Sequence, residues 1–483
     1  MTKFIHSDGF LAVIVSLILI LLGYVGVSSA SYPTIGFISI AGLATIFLAY
    51  FYPKYICYAI IIAAPLSINL TGISGGLALS LPAEGLLGLI LLLTGIKLFA
   101  GLKYDKDLLK HPITIILLLD ILWLWITCVY STIPEVSLKR AILKTSFIFG
   151  FYFLFYHVFQ HRSKGHSLFI LTAVGALIPI IYAINNHAAY NFAQEDSFEM
   201  SDPFYEDHTL YGACLAFLVP YFLVFIFEQW KNGKFSFRWI PITLFTVILL
   251  FAEFLSYSRA AWISVFVALG IYVLTKFKIK PKIYFSAAAI LIVAFVIQFG
   301  TIYQNIRSGN AQRKADSAET HLSSVTDLKS NASNLERVNR WVCAYRMFEE
   351  KPILGWGAGT YQFQYAKFQS NEFTTMISVN SGDRGNSHSE YLTLLSEEGF
   401  VGLLLFILLI IYSFARGIKL LIEEKIVKNK IVIYGALLGL ITFYSHGLFN
   451  AFSDYEKMSI MVYGSLAIIT LFDVRKHRAT NHS

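Results

Sequence analysis

The sequence predicts an all-α integral membrane protein, a polytopic bundle of about 12–14 transmembrane helices carrying one large helical extracytoplasmic loop. Three observations predict it. Of 483 residues, 56% are hydrophobic and only 14% charged, against roughly 25% charged in soluble domains. The apolar residues fall into runs of about the length a bilayer core requires, roughly 17–25 residues. Lys and Arg gather in alternate connections between those runs, which is the bias that orients a membrane protein.

The runs lie near 9–27, 34–52, 55–71, 82–100, 112–130, 141–160, 167–185, 208–227, 239–257, 260–275, 283–300, 391–415, 431–449 and 458–472. Ser29-Ala30 offers a small-residue cleavage site after the first. That run is longer than the roughly 7–15 apolar residues of a secretory signal, so it reads as an uncleaved helix. With the amino terminus inside, the cytoplasmic connections hold Lys54, Lys103 to Lys110, Arg162 and Lys164, Lys231 to Arg238, and Lys276 to Lys282. Arg416 to Lys430 and Arg475 to Arg478 complete the set. The short outer connections hold little beyond Lys139, Arg140 and Lys457.

The net charge of +8 and pI near 9.0 invite a nucleic-acid reading. The placement of the charges between apolar runs argues for membrane lipids and no nucleic acid. Four cysteines, Cys57, Cys128, Cys214 and Cys343, stand singly, without disulfide-framework or zinc-ligand spacing.

Two outer segments exceed a simple connection. One is the acidic stretch 186–207, and the other spans 301–390, where helical spacing runs from Leu335 to Glu350 and stops at Lys351-Pro352. Its first part, Arg307 to Asn334, is rich in Ser, Asn, Ala and charge and reads as mobile. Loops this long usually carry function.

Three constellations near these segments bear chemistry. Ser258-Arg259-Ala260-Ala261-Trp262 puts an arginine at a membrane boundary, as an interfacial anchor or as a bidentate phosphate clamp. Glu336-Arg337-Val338-Asn339-Arg340-Trp341, followed by Arg346, brings several cations near one helix face, either as solvated surface or as a second anion contact. His388, in Asn386-Ser387-His388-Ser389-Glu390, stands where the outer loop re-enters the membrane. It is a candidate general base, since an unperturbed imidazole titrates near neutrality. Among the other outer histidines, His208 is its rival; His321 and His187 are less well placed. Gly355-Trp356-Gly357-Ala358-Gly359 looks like a phosphate loop but lacks its GK[ST] ending, and reads as a tight turn.

In order and spacing these segments resemble the O-antigen ligase and polymerase family of bacterial envelope glycosyltransferases. The resemblance rests on Ser258 to Trp262, on Arg337-x-x-x-Trp341 running into Lys351-Pro352-Ile353-Leu354-Gly355-Trp356-Gly357, and on His388-Ser389-Glu390-Tyr391-Leu392 with Leu395-Ser396-Glu397-Glu398-Gly399-Phe400-Val401-Gly402. Asp207-His208-Thr209-Leu210-Tyr211-Gly212 adds a further piece, and the whole covers roughly 200–450. Ser389 stands where the family often has Asn.

The resemblance implies a glycan donor on an undecaprenyl-diphosphate carrier and an acceptor sugar hydroxyl, on lipid A–core for a ligase or on a second lipid-linked glycan for a polymerase. Both acceptors stay open. It further implies metal-independent, inverting transfer without a cofactor, at the periplasmic face of the bacterial inner membrane. His388 would act as catalytic base, and Arg259, Arg337, Arg340 and His208 would bind substrate. The regions expected are 1–200, an amino-terminal bundle; 201–300, core helices with the SRAAW segment; 301–390, the periplasmic loop; and 391–483, carboxy-terminal helices. A protein O-oligosaccharyltransferase is disfavoured because the chain stops at Ser483, straight after its last predicted span. A flippase of the lipid-linked unit is the alternative of another class. The absence of an internal repeat and the polar cluster outside the membrane speak against it.

Overall fold

A computed structural model describes residues 33–70, 79–99, 101, 105–160, 165–231, 237–277, 279, 283, 284, 286, 325–369, 378 and 385–481. The fold is all-helical and polytopic, as composition and periodicity predict. Among the described residues, eight helices are long and apolar enough to cross a membrane, and three shorter apolar helices accompany them. The expected spans at 9–27 and, for the most part, 283–300 lie outside the described residues.

The first elements are α1 (Pro33–Phe51), α2 (Pro53–Ala63), α3 (Ala83–Phe99), α4 (Pro112–Val129) and α5 (Pro134–Phe147). Proline at or beside the first helical position opens α2, α4 and α5, where its missing N–H leaves no bond unmade. The α5 helix continues through a wider turn at Ile148–Leu154 to Phe159, so this span starts earlier than 141. It is followed by α6 (His166–Ala188), α7 (His208–Lys231), α8 (Ile240–Leu255) and α9 (Arg259–Lys276). The outer loop contributes α10 (Val325–Glu350), and the chain ends with α11 (Glu390–Glu397), α12 (Gly399–Glu423), α13 (Val427–His446) and α14 (Glu456–Asn481).

Three expectations are corrected. The run at 391–415 is two helices, because Gly399 takes φ +71 and a side chain there would meet the Ile353 carbonyl at 2.0 Å. Apolar periodicity carries straight through such a corner and hides it. The run at 55–71 yields only the short α2 and a turn. Ile68–Leu70 then pairs antiparallel with Leu79–Leu81, the one pair of strands among the described residues. Finally, α10 begins at Val325 rather than Leu335, so part of the polar stretch is helical after all.

The bundle is centred on α13, which packs against α7, α9, α12 and α14. Gly435 and Gly439 form a small-xxx-small stripe facing α7, where added side chains would meet Tyr221 at 2.6 Å and Phe217 at 2.3 Å. Between membrane helices, such close backbone approach supplies the van der Waals attraction that hydrophobicity cannot.

The two ends of the bundle are chemically distinct. At the end predicted to be cytoplasmic, Arg478 of α14 pairs with Asp105 and Asp107, Arg416 of α12 with Asp473, and Lys276 of α9 with Glu228 of α7. Of the outer-connection cations predicted as exceptions, Arg140 pairs with Asp454, and Lys457 with Glu456 and the Ser67 carbonyl. Within the bundle Lys144 of α5 bridges Asp120 of α4 and Glu398 at 3.0 and 3.5 Å.

Reporter fusions at Lys280 and Lys329 check the orientation. The first should report the cytoplasm and the second the far side; the reversed pair of results would overturn the assignment.

Candidate active site at the outer end of the bundle

The opposite end gathers every segment singled out from the sequence that lies among the described residues. Asp207 caps α7, accepting from the Thr209 and Leu210 amides at 2.7 and 2.8 Å. His208 follows at once and donates from Nδ1 to the Ser256 carbonyl at 2.7 Å. A carbonyl only accepts, so this bond fixes the tautomer and leaves the lone pair on Nε2. His208 thereby ties α7 to the corner between α8 and α9.

That corner is tight. Tyr257 has φ +49, a left-handed value that a bulky residue seldom adopts. Its hydroxyl donates to the Phe192 carbonyl at 2.9 Å, so the acidic 186–207 segment folds over the corner. Trp262 donates to the Glu253 carbonyl at 2.9 Å, and its ring stacks on Phe254. Arg259, the first residue of α9, is exposed.

The outer loop carries its own small core, with Cys343, Ala344, Met347, Tyr361, Tyr365 and Phe368 packed together against Trp356 and Leu392. This core fixes α10 over the bundle. Arg337 is half-buried there, and its Nε has no hydrogen-bond partner. Burial and the nearby positive charge of Arg259 both lower its pKa. Among the described residues neither Arg259 nor Arg337 has a carboxylate within ion-pair distance. Arg340 differs: it pairs with Glu336 at 2.9 Å, donates to the Asn386 carbonyl at 2.9 Å and lies over the Tyr365 ring. Arg346 also braces the loop, donating to the Phe368 carbonyl at 2.9 Å.

His388 occupies a second strained position, φ +52. Its neighbours impose that conformation. Its amide donates to Asn386 Oδ1 at 2.9 Å, while Asn386 Nδ2 donates to the Ala451 carbonyl at 3.2 Å. The Glu390 amide donates to the Gly447 carbonyl at 2.8 Å, and the Glu390 carboxylate accepts from the Phe452 and Ser453 amides. The turn after α13 thus clasps the His388 loop. Ser389 caps α11 through its hydroxyl. Serine and asparagine are equivalent helix caps, which accounts for Ser389 where the family often has Asn.

The His388 ring hydrogen-bonds to Asn450, which is itself buried and donates to His446 Nε2 at 2.9 Å. Burial first, then the Arg340 and Arg337 charges, push the imidazole pKa down to about 3, against a smaller upward pull from Asp207. His388 is therefore neutral at physiological pH and offers a lone pair. Of the other histidines, His187 is buried and donates to the Ala193 carbonyl at 2.8 Å, while His321 lies outside the described residues. Asn450 is the part the sequence reading passes over, since nothing local marks residue 450 as a partner of residue 388.

Comparison with known proteins is consistent with this assembly. Residues 244–407 match the family model described as O-Antigen ligase. The match takes in most of α8, the α8–α9 corner, the whole outer loop, His388 and the first part of α12. It is narrower than the 200–450 expected and leaves out His208 and the α13 clasp. No curated protein matches the chain. With its spans and its long loop, this chain is a multi-pass membrane protein whose residues 244–407 match the O-Antigen ligase family model.

Proposed function

We propose that this protein transfers a glycan from an undecaprenyl-diphosphate carrier to an acceptor sugar hydroxyl, with its site open to the periplasm at the outer leaflet of the bacterial inner membrane. One observation carries the reading. Arg259 and Arg337 approach each other with no carboxylate paired to either among the described residues, beside a neutral His388. Two like charges held together in this way favour a ligand carrying more than one negative charge, and guanidinium groups grip phosphate oxygens bidentately.

In the proposed reaction the acceptor oxygen attacks the anomeric carbon opposite the diphosphate. The new C–O bond forms as the bond to the diphosphate oxygen breaks, inverting the centre, and the hydroxyl proton passes to a ring nitrogen. His388 is the proposed base, with His208 Nε2 the other available lone pair. The leaving diphosphate takes the bonding electrons, and Arg259 and Arg337 stabilise the charge that grows on it. Arg340 acts on the same group through the field it adds and through the His388 loop it braces. No metal is called for, because the cations that meet the charge belong to the chain.

The test is transfer by purified protein in nanodiscs, with carrier-linked glycan as donor and either lipid A–core or a second carrier-linked glycan as acceptor. Release of carrier diphosphate with a lengthened or lipid A-linked glycan is the expected result, and the productive acceptor separates ligase from polymerase. Movement of intact donor across the bilayer with no new glycosidic bond would overturn it in favour of a flippase.

A further inference from the structure

The Gly355 to Gly359 run, which resembles a phosphate loop in sequence, is filled from within. Gly355, Gly357 and Gly359 have φ +67, +104 and +77, a succession that turns backbone N–H groups into a concave, anion-binding nest. The occupant is the Glu397 carboxylate. Its Oε2 accepts from the Gly359 amide at 2.7 Å and its Oε1 from the Tyr361 amide at 2.9 Å. The Glu397 carbonyl accepts from the Gly357 amide at 2.9 Å, and the Ser396 carbonyl from the Trp356 amide at 3.0 Å. Glu397 is buried, so these bonds are made away from water; burial raises its carboxyl pKa, while the Arg140 charge and the two amides pull it the other way.

The far side of the nest is held as firmly. The Trp356 carbonyl accepts from both the amide and the hydroxyl of Thr132, and the Ala358 carbonyl from Ser137 Oγ. The loop is thus pinned between the α4–α5 turn and the end of α11. From there the connection reaches the arginines. Tyr361, whose amide is held by Glu397, donates its hydroxyl to the Arg340 carbonyl at 2.8 Å. Arg340 lies one helical turn after Arg337 on α10.

We propose that Glu397 is a positioning residue, a carboxylate latch that docks the outer loop on the bundle and so sets Arg337 opposite Arg259 and His388. The part concerning the arginines rests on the diphosphate reading above; the latch itself does not. The Glu397 side chain touches no substrate, and its effect runs through Tyr361 and α10.

Two measurements on the full chain in nanodiscs test this. Hydrogen exchange reads the latch: Glu397→Ala should speed exchange of the 355–361 amides by roughly 10- to 100-fold, the loss expected when buried donors are left without their acceptor. Glu397→Gln, which keeps one acceptor, should fall between. Unchanged exchange in Glu397→Ala overturns the latch. Kinetics read the positioning: Glu397→Ala should raise the donor KM, and when added to Arg337→Ala it should change little further, because both act through one group. Faster exchange with an unaltered KM, or fully additive losses, overturns the route through Arg337. If Glu397→Ala fails to fold, Tyr361→Phe takes its place, keeping the nest and cutting the link to α10. It should raise the donor KM with Gly359 exchange unchanged, and an unaltered KM overturns the proposal. Should the wild-type protein transfer no glycan, the diphosphate reading fails, while exchange still decides the latch.

Discussion

Replacing Arg337 by alanine is expected to lower glycan transfer by roughly 10²–10³-fold, the loss typical of removing one fixed donor from a developing negative charge. The protein should still insert and accumulate. Arg337 pairs with no carboxylate among the described residues and its Nε has no partner, so truncation strands no buried acid. It also relieves the repulsion from Arg259 that lowers the Arg337 pKa. The substitution should leave thermal stability equal or slightly higher while activity collapses. Arg259→Ala should behave alike in activity. Lysine at either position should restore only part of the rate, because an ammonium supplies charge without the two-pronged geometry. Transfer assays beside melting curves check this. Normal product from both alanine variants would leave interfacial anchoring as the account of Arg259 and end the clamp.

His388→Ala should cost roughly 10²–10⁴-fold in turnover, the usual contribution of general base catalysis, with donor binding largely kept. The pH dependence sharpens the expectation. In the free protein, burial and the two arginines hold the His388 pKa down to about 3. A diphosphate seated among those arginines would offset their charge and let the pKa rise. The acid limb of kcat, which reports the donor complex, should therefore lie at higher pH than that of kcat/KM, which reports the free enzyme. His388→Ala should abolish the difference. Stability carries the same sign. An unfolded histidine binds its proton near pH 6.5, whereas folded His388 does so only near 3. Stability should thus fall as pH drops through that window, and His388→Ala should flatten the slope. Full activity in His388→Ala with loss in His208→Ala would move the base to His208, whose Nε2 is free by tautomer.

How much of this is legible in the sequence depends on how far apart the cooperating residues lie. The spans that became α4, α6, α7 and α9 read directly, because a bilayer imposes length and polarity on each run separately. The motif residues read as well: Arg259, Arg337 and His388 are costly or conspicuous where they stand. What does not read is set by tertiary contact. The corner at Gly399 exists because the Ile353 carbonyl occupies the space a side chain would need, and nothing within 391–415 announces it. The Gly355–Gly359 turn reads correctly as a turn, but its anion is a carboxylate 38 residues further along the chain. Arg340 reads as one of a row of equivalent cations. Its pairing with Glu336, one turn back on α10, is local, yet its bond to the Asn386 carbonyl is not. The proposed base reads as a histidine suited to neutral pH, and only its burial and the packed arginines reveal how far its proton affinity is displaced.

The clasp that the turn after α13 places on the His388 loop has a consequence for inheritance and engineering. The region matched by the family model ends at 407, but the backbone that holds His388 in its left-handed conformation comes from residues 447 to 451. The domain is therefore not a transplantable cassette. A chimera that exchanges 244–407 between two such proteins would join one parent's histidine loop to the other parent's clasp. Its function would depend on whether the Asn386, Glu390, Gly447 and Asn450 contacts match across the seam. Recombination that carries the stretch from the start of α7 to the clasp as one block should yield working hybrids far more often than exchange at the domain boundaries.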